Sequence, residues 1–260
     1  MKRLFILILV LNSILLNARF QNATILFNDG HSETGLVKSF LEQRTISAGF
    51  SSNLEHELNL DDKIIKFKLS NDAEVKDLSI DDIKQITISY ENNYSITYRV
   101  LYLKELDKKG DFKEKSRKVF LPLLKEGKIN IYGLRYSTQT GSGSGPYTGE
   151  VFYYQNAKED YAINYFNMGF SAMFNIQERT LNPFRILFKD CPSALKEIDN
   201  FQNKWKNASK EERKAKKEEE KKLMKEYGEL DKNQRKDLLN VHHYQFNDFE
   251  KLISSYENCN

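Results

Sequence analysis

Cys191 and Cys259 are the only two cysteines among the 260 residues, and they set the first limits on the chemistry of this chain. Neither belongs to a C-x-x-C pair, so no redox or zinc motif is spelled out. An even count behind an export-type leader predicts a disulfide instead. The loop it would close spans about 70 residues, which in the chain-entropy view contributes on the order of 4 kcal/mol by restricting the unfolded state. Four histidines occur, at positions 31, 56, 242 and 243. None stands in an H-E-x-x-H frame, and His242 and His243, as neighbours on a helix, point about 100° apart, so they are expected to be solvated or capping rather than metal-ligating.

Nucleophilic chemistry finds no better footing. Gly141-Ser142-Gly143-Ser144-Gly145 imitates a G-x-S-x-G elbow, but no strand enters it tightly and no helix leaves it, and Pro146 follows, so it reads as a flexible hairpin tip. It also lacks the Gly-Lys-Ser/Thr ending of a phosphate loop. Asp81-Asp82, Glu159-Asp160 and Glu218 to Glu220 place carboxylates side by side, and adjacency without burial leaves them as solvated surface. No catalytic, cofactor or metal residue is therefore assigned. An aromatic cluster around Phe152, Tyr153, Tyr154 and Tyr161 is the candidate partner-binding surface, since exposed rings on strands stack on sugars or dock proteins. Most of that cluster is still expected to be core, because alternate residues on a strand face inward.

These residues must be carried by a real core, and 40 % hydrophobic with 12 % aromatic content can build one. The net charge of +3 falls to +1 once Lys2 and Arg3 are removed with a leader, which offers nucleic acid no clustered basic surface. Lys2 and Arg3 precede an apolar run from Leu4 to Leu16, with Ala18 shortly after, so residues 1–18 are expected to be a cleaved signal peptide. The run is shorter than the roughly 20 residues of a membrane-spanning helix, and Asn12 and Ser13 interrupt it. No cysteine stands near the boundary to take a lipid anchor. The expected location is outside the cytoplasm: periplasmic, outer-membrane-associated or secreted.

Downstream the pattern predicts an α+β protein, with a β-rich N-terminal and central region and a helical C-terminal region. Residues 19–103 are expected to form a small antiparallel β domain, curled or closed as a barrel. Asp29-Gly30 makes its first hairpin turn, Lys63 to Leu69 and Ile86 to Ile88 give strands, and Ser79 caps a short helical turn. Tyr94, Ile96, Tyr98, Val100 and Tyr102 are expected to share one strand face. Lys104 to Lys118 reads as a charged connection, and residues 119–180 as hairpins with the Gly/Ser-rich tip. Residues 184–260 are expected to be helical, with Pro192 in the first turn of one helix and Phe249, Leu252, Ile253 and Tyr256 as the core stripe of the last, capped by Asn247 or Asp248. Between them lies a charged insertion, 203–241, whose Glu212–Lys216 and Glu218–Lys222 spacing supplies ion pairs four apart. With few apolar positions, this insertion is expected to project or to fold as a loose hairpin.

Ile25-Leu26-Phe27-Asn28-Asp29-Gly30, Leu124-Lys125-Glu126-Gly127-Lys128-Ile129-Asn130-Ile131-Tyr132, and Phe188-Lys189-Asp190-Cys191-Pro192 answered by Tyr256-Glu257-Asn258-Cys259 together resemble a group of uncharacterised exported proteins of Bacteroidota. The resemblance implies an N-terminal β region, a central hairpin and a disulfide-tied helical end, and it implies no catalytic residue. The expected role is non-enzymatic binding or scaffolding in the cell envelope or outside the cell, with an envelope protein or a polysaccharide as partner and no cofactor. The alternative is a hydrolase or other enzyme whose site is assembled from distant residues. Peripheral membrane contact through residues 204–241 is the third class, weakened by the glutamates interleaved among its lysines.

Overall fold

The computed structural model describes residues 20–38, 45–47, 60, 62–90, 94–106, 112–139, 147–164 and 176–259. The expected signal peptide, the Gly141 to Gly145 tip and His56 lie outside the described residues. The fold is α+β, and the chain divides into two compact units, residues 1–42 with 62–98, and residues 43–61 with 99–260.

The first unit is an antiparallel sheet. β1 (Phe20–Phe27) and β2 (Ser32–Lys38) form the expected hairpin, and Gly30 takes φ 93°, the left-handed value that glycine adopts without a Cβ clash. β3 (Thr45–Ser47) belongs to the second unit. β4 (Ile64–Lys68) pairs with β2, β5 (Lys76–Ser79) with β4, and β6 (Ile83–Ser89) with β1. Alternate residues Ala23, Ile25 and Phe27, Ile65 and Phe67, and Ile86 and Ile88 are buried, which is the period of a half-buried strand. At Gly35 a Cβ would stand 2.5 Å from the Lys68 carbonyl oxygen and 2.7 Å from the Phe67 ring, so β2 and β4 approach only because glycine is there. The turn expected after Ser79 is a single one, closed by the Asp82 amide on the Ser79 carbonyl at 3.1 Å, and no helix continues from it. Ser79 Oγ accepts the Asp81 amide at 3.1 Å, the side-chain amide of Asn28 donates to the Asp81 carbonyl, and the chain passes into β6.

β7 (Ser95–Leu106) contributes residues 95–98 to the first unit and the rest to the second. The expected single face changes parity along it. Tyr98 is buried, and beyond it Leu101 and Leu103 are buried while Tyr102 turns outward. Lys104 to Lys118 is not a connection either. β7 runs to Leu106 and β8 (Phe112–Lys125) starts at Phe112, with Glu105 ion-paired to Lys113 across the hairpin. Opposed charges on facing strands let such a polar stretch pair.

β9 (Ile129–Gln139), β10 (Tyr147–Asn156) and β11 (Tyr161–Asn164) continue a meander from β8. With five strands, the last runs in the direction of the first. Closure is therefore parallel, Tyr161 opposite Tyr102 and Ile163 opposite Lys104, and it makes a five-stranded barrel. β3 adds in parallel to β9. Between Leu123 and Lys125 the register slips against Tyr132 and Ile131, a bulge at Leu124 two residues after Pro122, which has no amide proton for the ladder.

Six helices follow among the described residues: α1 (Ile176–Leu187), α2 (Pro192–Asn207), α3 (Lys210–Glu229), α4 (Lys232–Lys236), α5 (Leu238–Gln245) and α6 (Asn247–Glu257). The core of the second unit lies between the barrel's outer surface and these helices. Ile131, Phe152, Tyr154 and Ile163 meet Phe184, Phe188, Ile198 and the stripe Phe249, Leu252, Ile253 and Tyr256. Pro192 occupies the first turn of α2, and Cys191, its N-cap, is bonded to Cys259.

The charged insertion breaks into helices rather than running on. Ser209 begins α3 in a capping box, accepting the Glu212 amide and donating its own to the Glu212 carboxylate, so Glu212 is spent on the cap instead of on Lys216. Glu218 pairs with Lys221, and Lys222 with Glu226. The insertion folds as a loose helical hairpin, with the Tyr227 ring stacked on Tyr244 at 4.5 Å. α6 has Phe246 as its N-cap with no side-chain bond, because Asp248 is turned to Lys216 at 2.7 Å.

Candidate functional site

The four aromatic residues expected at a partner surface are buried: Phe152 is 2 % exposed, Tyr153 and Tyr154 0 %, and Tyr161 5 %. The reason is that β10 is covered on both faces. Val151, Tyr153 and Gln155 point into the barrel, and Phe152, Tyr154 and Asn156 point to the helices. These rings therefore build the protein and offer a partner no surface.

The sequence gives no hint of the polar knot under α5. His242 is fully buried, with Nε2 2.8 Å from the Tyr154 hydroxyl and Nδ1 3.1 Å from Glu250, and His243 binds the second Glu250 oxygen at 2.5 Å. The two histidines diverge from adjacent positions yet converge on one carboxylate of the next helix. Burial pushes the Glu250 carboxyl up, but hydrogen bonds from His242 and His243 outweigh it and hold the group below its usual range. A carboxylate, an imidazole and a hydroxyl in line could relay a proton. Here the imidazole and the hydroxyl are sealed between Phe152, Phe184 and Phe246, so the line works as a brace joining β10, α5 and α6.

A second knot fills the barrel. The Tyr132 hydroxyl donates to Gln155 Oε1 at 2.5 Å, Asn130 donates to the same oxygen at 3.0 Å, and Asn130 Oδ1 accepts the Gly127 amide. Burial raises the Tyr132 phenol to about 12, against the lowering influence of Arg99, so the hydroxyl stays protonated and donating. A third knot ties down the C-terminus. Asn156 donates to the Leu187 carbonyl and to the Tyr256 hydroxyl, Tyr256 donates to Asp190, and Glu257 accepts the amides of Lys128 and Ile129.

Among the described residues Ile64, Leu69, Val75, Tyr94 and Met224 are exposed singly, and the outer face of β7 and β8 sets two exposed rings beside lysines. Leu101 and Leu103 occupy the barrel interior, which leaves Tyr102 and Lys104 facing out. Phe112 and Lys118 lie beside them on β8. Tyr102 is 37 % and Phe112 38 % exposed, large rings that solvent reaches. The Lys104 ammonium sits 4.9 Å from the Phe112 ring centre and 4.0 Å from that of Tyr161, and Lys118 stands 5.9 Å from the Tyr102 ring. Phe112 meets Tyr161 edge-on at 5.3 Å. Glu114 is exposed between the two β8 residues, so the face is mixed in charge rather than uniformly basic. The sequence pattern puts Tyr102 on one strand face with Tyr94, Ile96, Tyr98 and Val100, and Phe112 in a connection. The signal that could have found them is Leu101-Tyr102-Leu103-Lys104, where apolar residues alternate with Tyr and Lys.

Among the described residues, no three histidine, cysteine or acidic side chains gather to hold a metal ion. The disulfide is compatible with an exported protein or an oxidising compartment. No protein-family model matches this chain, and neither a curated protein nor a solved structure matches it.

Proposed function

We propose that this chain is an exported, non-enzymatic binding protein of the cell envelope or exterior, and that it holds an acidic polysaccharide on the outer face of β7 and β8. The observation that carries the reading is the exposed pair Tyr102 and Phe112 with the ammoniums of Lys104 and Lys118 among the rings. Sugar rings stack on aromatic faces through their C–H groups, and a uronate carboxylate answers a lysine. Glu114 lowers the net charge of the face, so ring contact carries more of the binding than charge, and its salt dependence is shallow. The barrel suits this role because its closed ladder and packed interior hold the rings in fixed positions.

The disulfide supports the exported part of the reading, since such a bond persists in oxidising spaces. Affinity electrophoresis tests the binding part. Mature protein is run through gels containing polygalacturonate, alginate or neutral dextran. The acidic polymers retard it, Tyr102→Ala/Phe112→Ala abolishes the retardation with an unchanged circular dichroism spectrum, and dextran has a weaker effect. Equal migration of wild type and double variant in every gel overturns the polysaccharide reading. N-terminal sequencing of the natural protein tests export, with a start near Arg19 expected and retention of Met1 against it.

A further inference from the structure

We infer that the Cys191–Cys259 bond is a thiol–disulfide exchange site, attacked at Cys259 Sγ by small thiolates or by cysteine thiols of other exported proteins. The two sulfurs sit in different surroundings. Cys191 is 1 % exposed and caps α2, where its Sγ accepts the Ala194 amide at 3.4 Å and lies 3.3 Å from the Ser193 hydroxyl. Cys259 is partly exposed, with Ser193 Oγ 3.6 Å from its sulfur and the Lys128 ammonium bonded to its carbonyl oxygen.

Exchange needs an accessible sulfur to attack and a stable thiolate to leave. Cys259 supplies the first, and Lys128 beside it attracts the incoming anion. Cys191 supplies the second. As its bond to Cys259 breaks, the electron pair stays on Cys191 Sγ, where the Ala194 amide, the Ser193 hydroxyl and the N-terminal end of α2 stabilise it. The step balances: one thiolate enters, a mixed disulfide forms on Cys259, and the Cys191 thiolate is released without net oxidation or reduction. A second thiolate, from a dithiol reductant, completes reduction if one is present. Opening this bond leaves α6 its other ties, the Tyr256–Asp190 and Asn156–Tyr256 bonds and the grip of Glu257 on Lys128 and Ile129. The arrangement therefore suits capture of a thiol partner by the folded protein.

Native protein is incubated with reduced glutathione, quenched in acid, digested and mapped by mass spectrometry. The expected adduct is on Cys259, with the Cys191 thiol free. Ser193→Ala, which removes one donor to the leaving sulfur at an exposed position, slows exchange about threefold to tenfold. Adducts on Cys191, equal adducts on both sulfurs, or exchange that occurs only at urea concentrations that unfold the protein each overturn the inference. An unchanged rate in Ser193→Ala overturns the part assigned to the hydroxyl. None of these outcomes depends on polysaccharide binding, so the two proposals fail separately.

Discussion

Helices α6 and α3 are neighbours in the same unit and are stabilised in opposite ways. α6 buries Phe249, Leu252, Ile253 and Tyr256 in 11 residues, while α3 buries none in 20. α6 has no side-chain N-cap bond and needs none, because its hydrophobic stripe is held by Phe184, Phe188 and the barrel. α3 relies on its capping box, on pairs such as Lys222–Glu226 and Lys225–Glu229, and on the Lys216–Asp248 and Lys251–Glu219 bridges to α6. A helix of the first kind is as stable as the unit that holds it. One of the second kind can open alone.

The largest expected effect follows from emptying the core that α6 leans on. Phe184 stacks on Phe249 at 5.2 Å and is fully buried, so Phe184→Ala costs about 3–5 kcal/mol in urea unfolding, as large-to-small core substitutions do. Hydrogen exchange sharpens the contrast. In this variant α6 and the barrel strands lose protection together, whereas α3, already exchanging through local opening, changes little. Parallel loss across α3 and α6 would erase the distinction between them.

Next comes the brace between α5 and α6. His242→Ala removes the imidazole bonded to the buried Tyr154 hydroxyl and opens space among Phe152 and Phe246, costing about 2–4 kcal/mol. The acid limb of stability should report the same knot. Because the Glu250 carboxyl is held below its ordinary value, its contribution is fully present above the unfolded value of about 4.3 and is lost as pH falls through the folded value. Thermal melts between pH 7 and pH 3 show this as a falling midpoint in wild type. Glu250→Gln melts lower at pH 7 and falls less steeply on acidification.

What was legible in the sequence divides along the same line as the helices. The α6 stripe, the Gly30 turn and the Pro192 start are local signals, carried by spacing or by one backbone angle, and the structure has all three. The disulfide was legible from cysteine count and the export-type leader. Barrel closure was not, because Tyr161 meets Tyr102 across the whole meander and no local pattern encodes that pairing. The burial of His242 was hidden for the same reason, since its partner Tyr154 is 88 residues away. Glu105 and Lys113 misled in another way: charge looked like a loop, and cross-strand pairing turned it into a hairpin. Phe112 was lost inside that misreading, while Tyr102 was already on a strand.

The smallest effects belong to α3, and they test whether its stability is local. Ser209→Ala removes the cap and costs about 1 kcal/mol of α3 stability, visible as faster amide exchange in its first turns and nearly invisible in the global melt. Lys216→Ala breaks the bridge to Asp248 on a half-exposed surface and is worth about 0.5 kcal/mol, less in high salt. If either substitution lowers the global unfolding free energy as much as Phe184→Ala does, α3 belongs to the cooperative core. The capping box and ion pairs would then be only part of what holds it, and the Tyr227–Tyr244 stack would be the first contact to remove next.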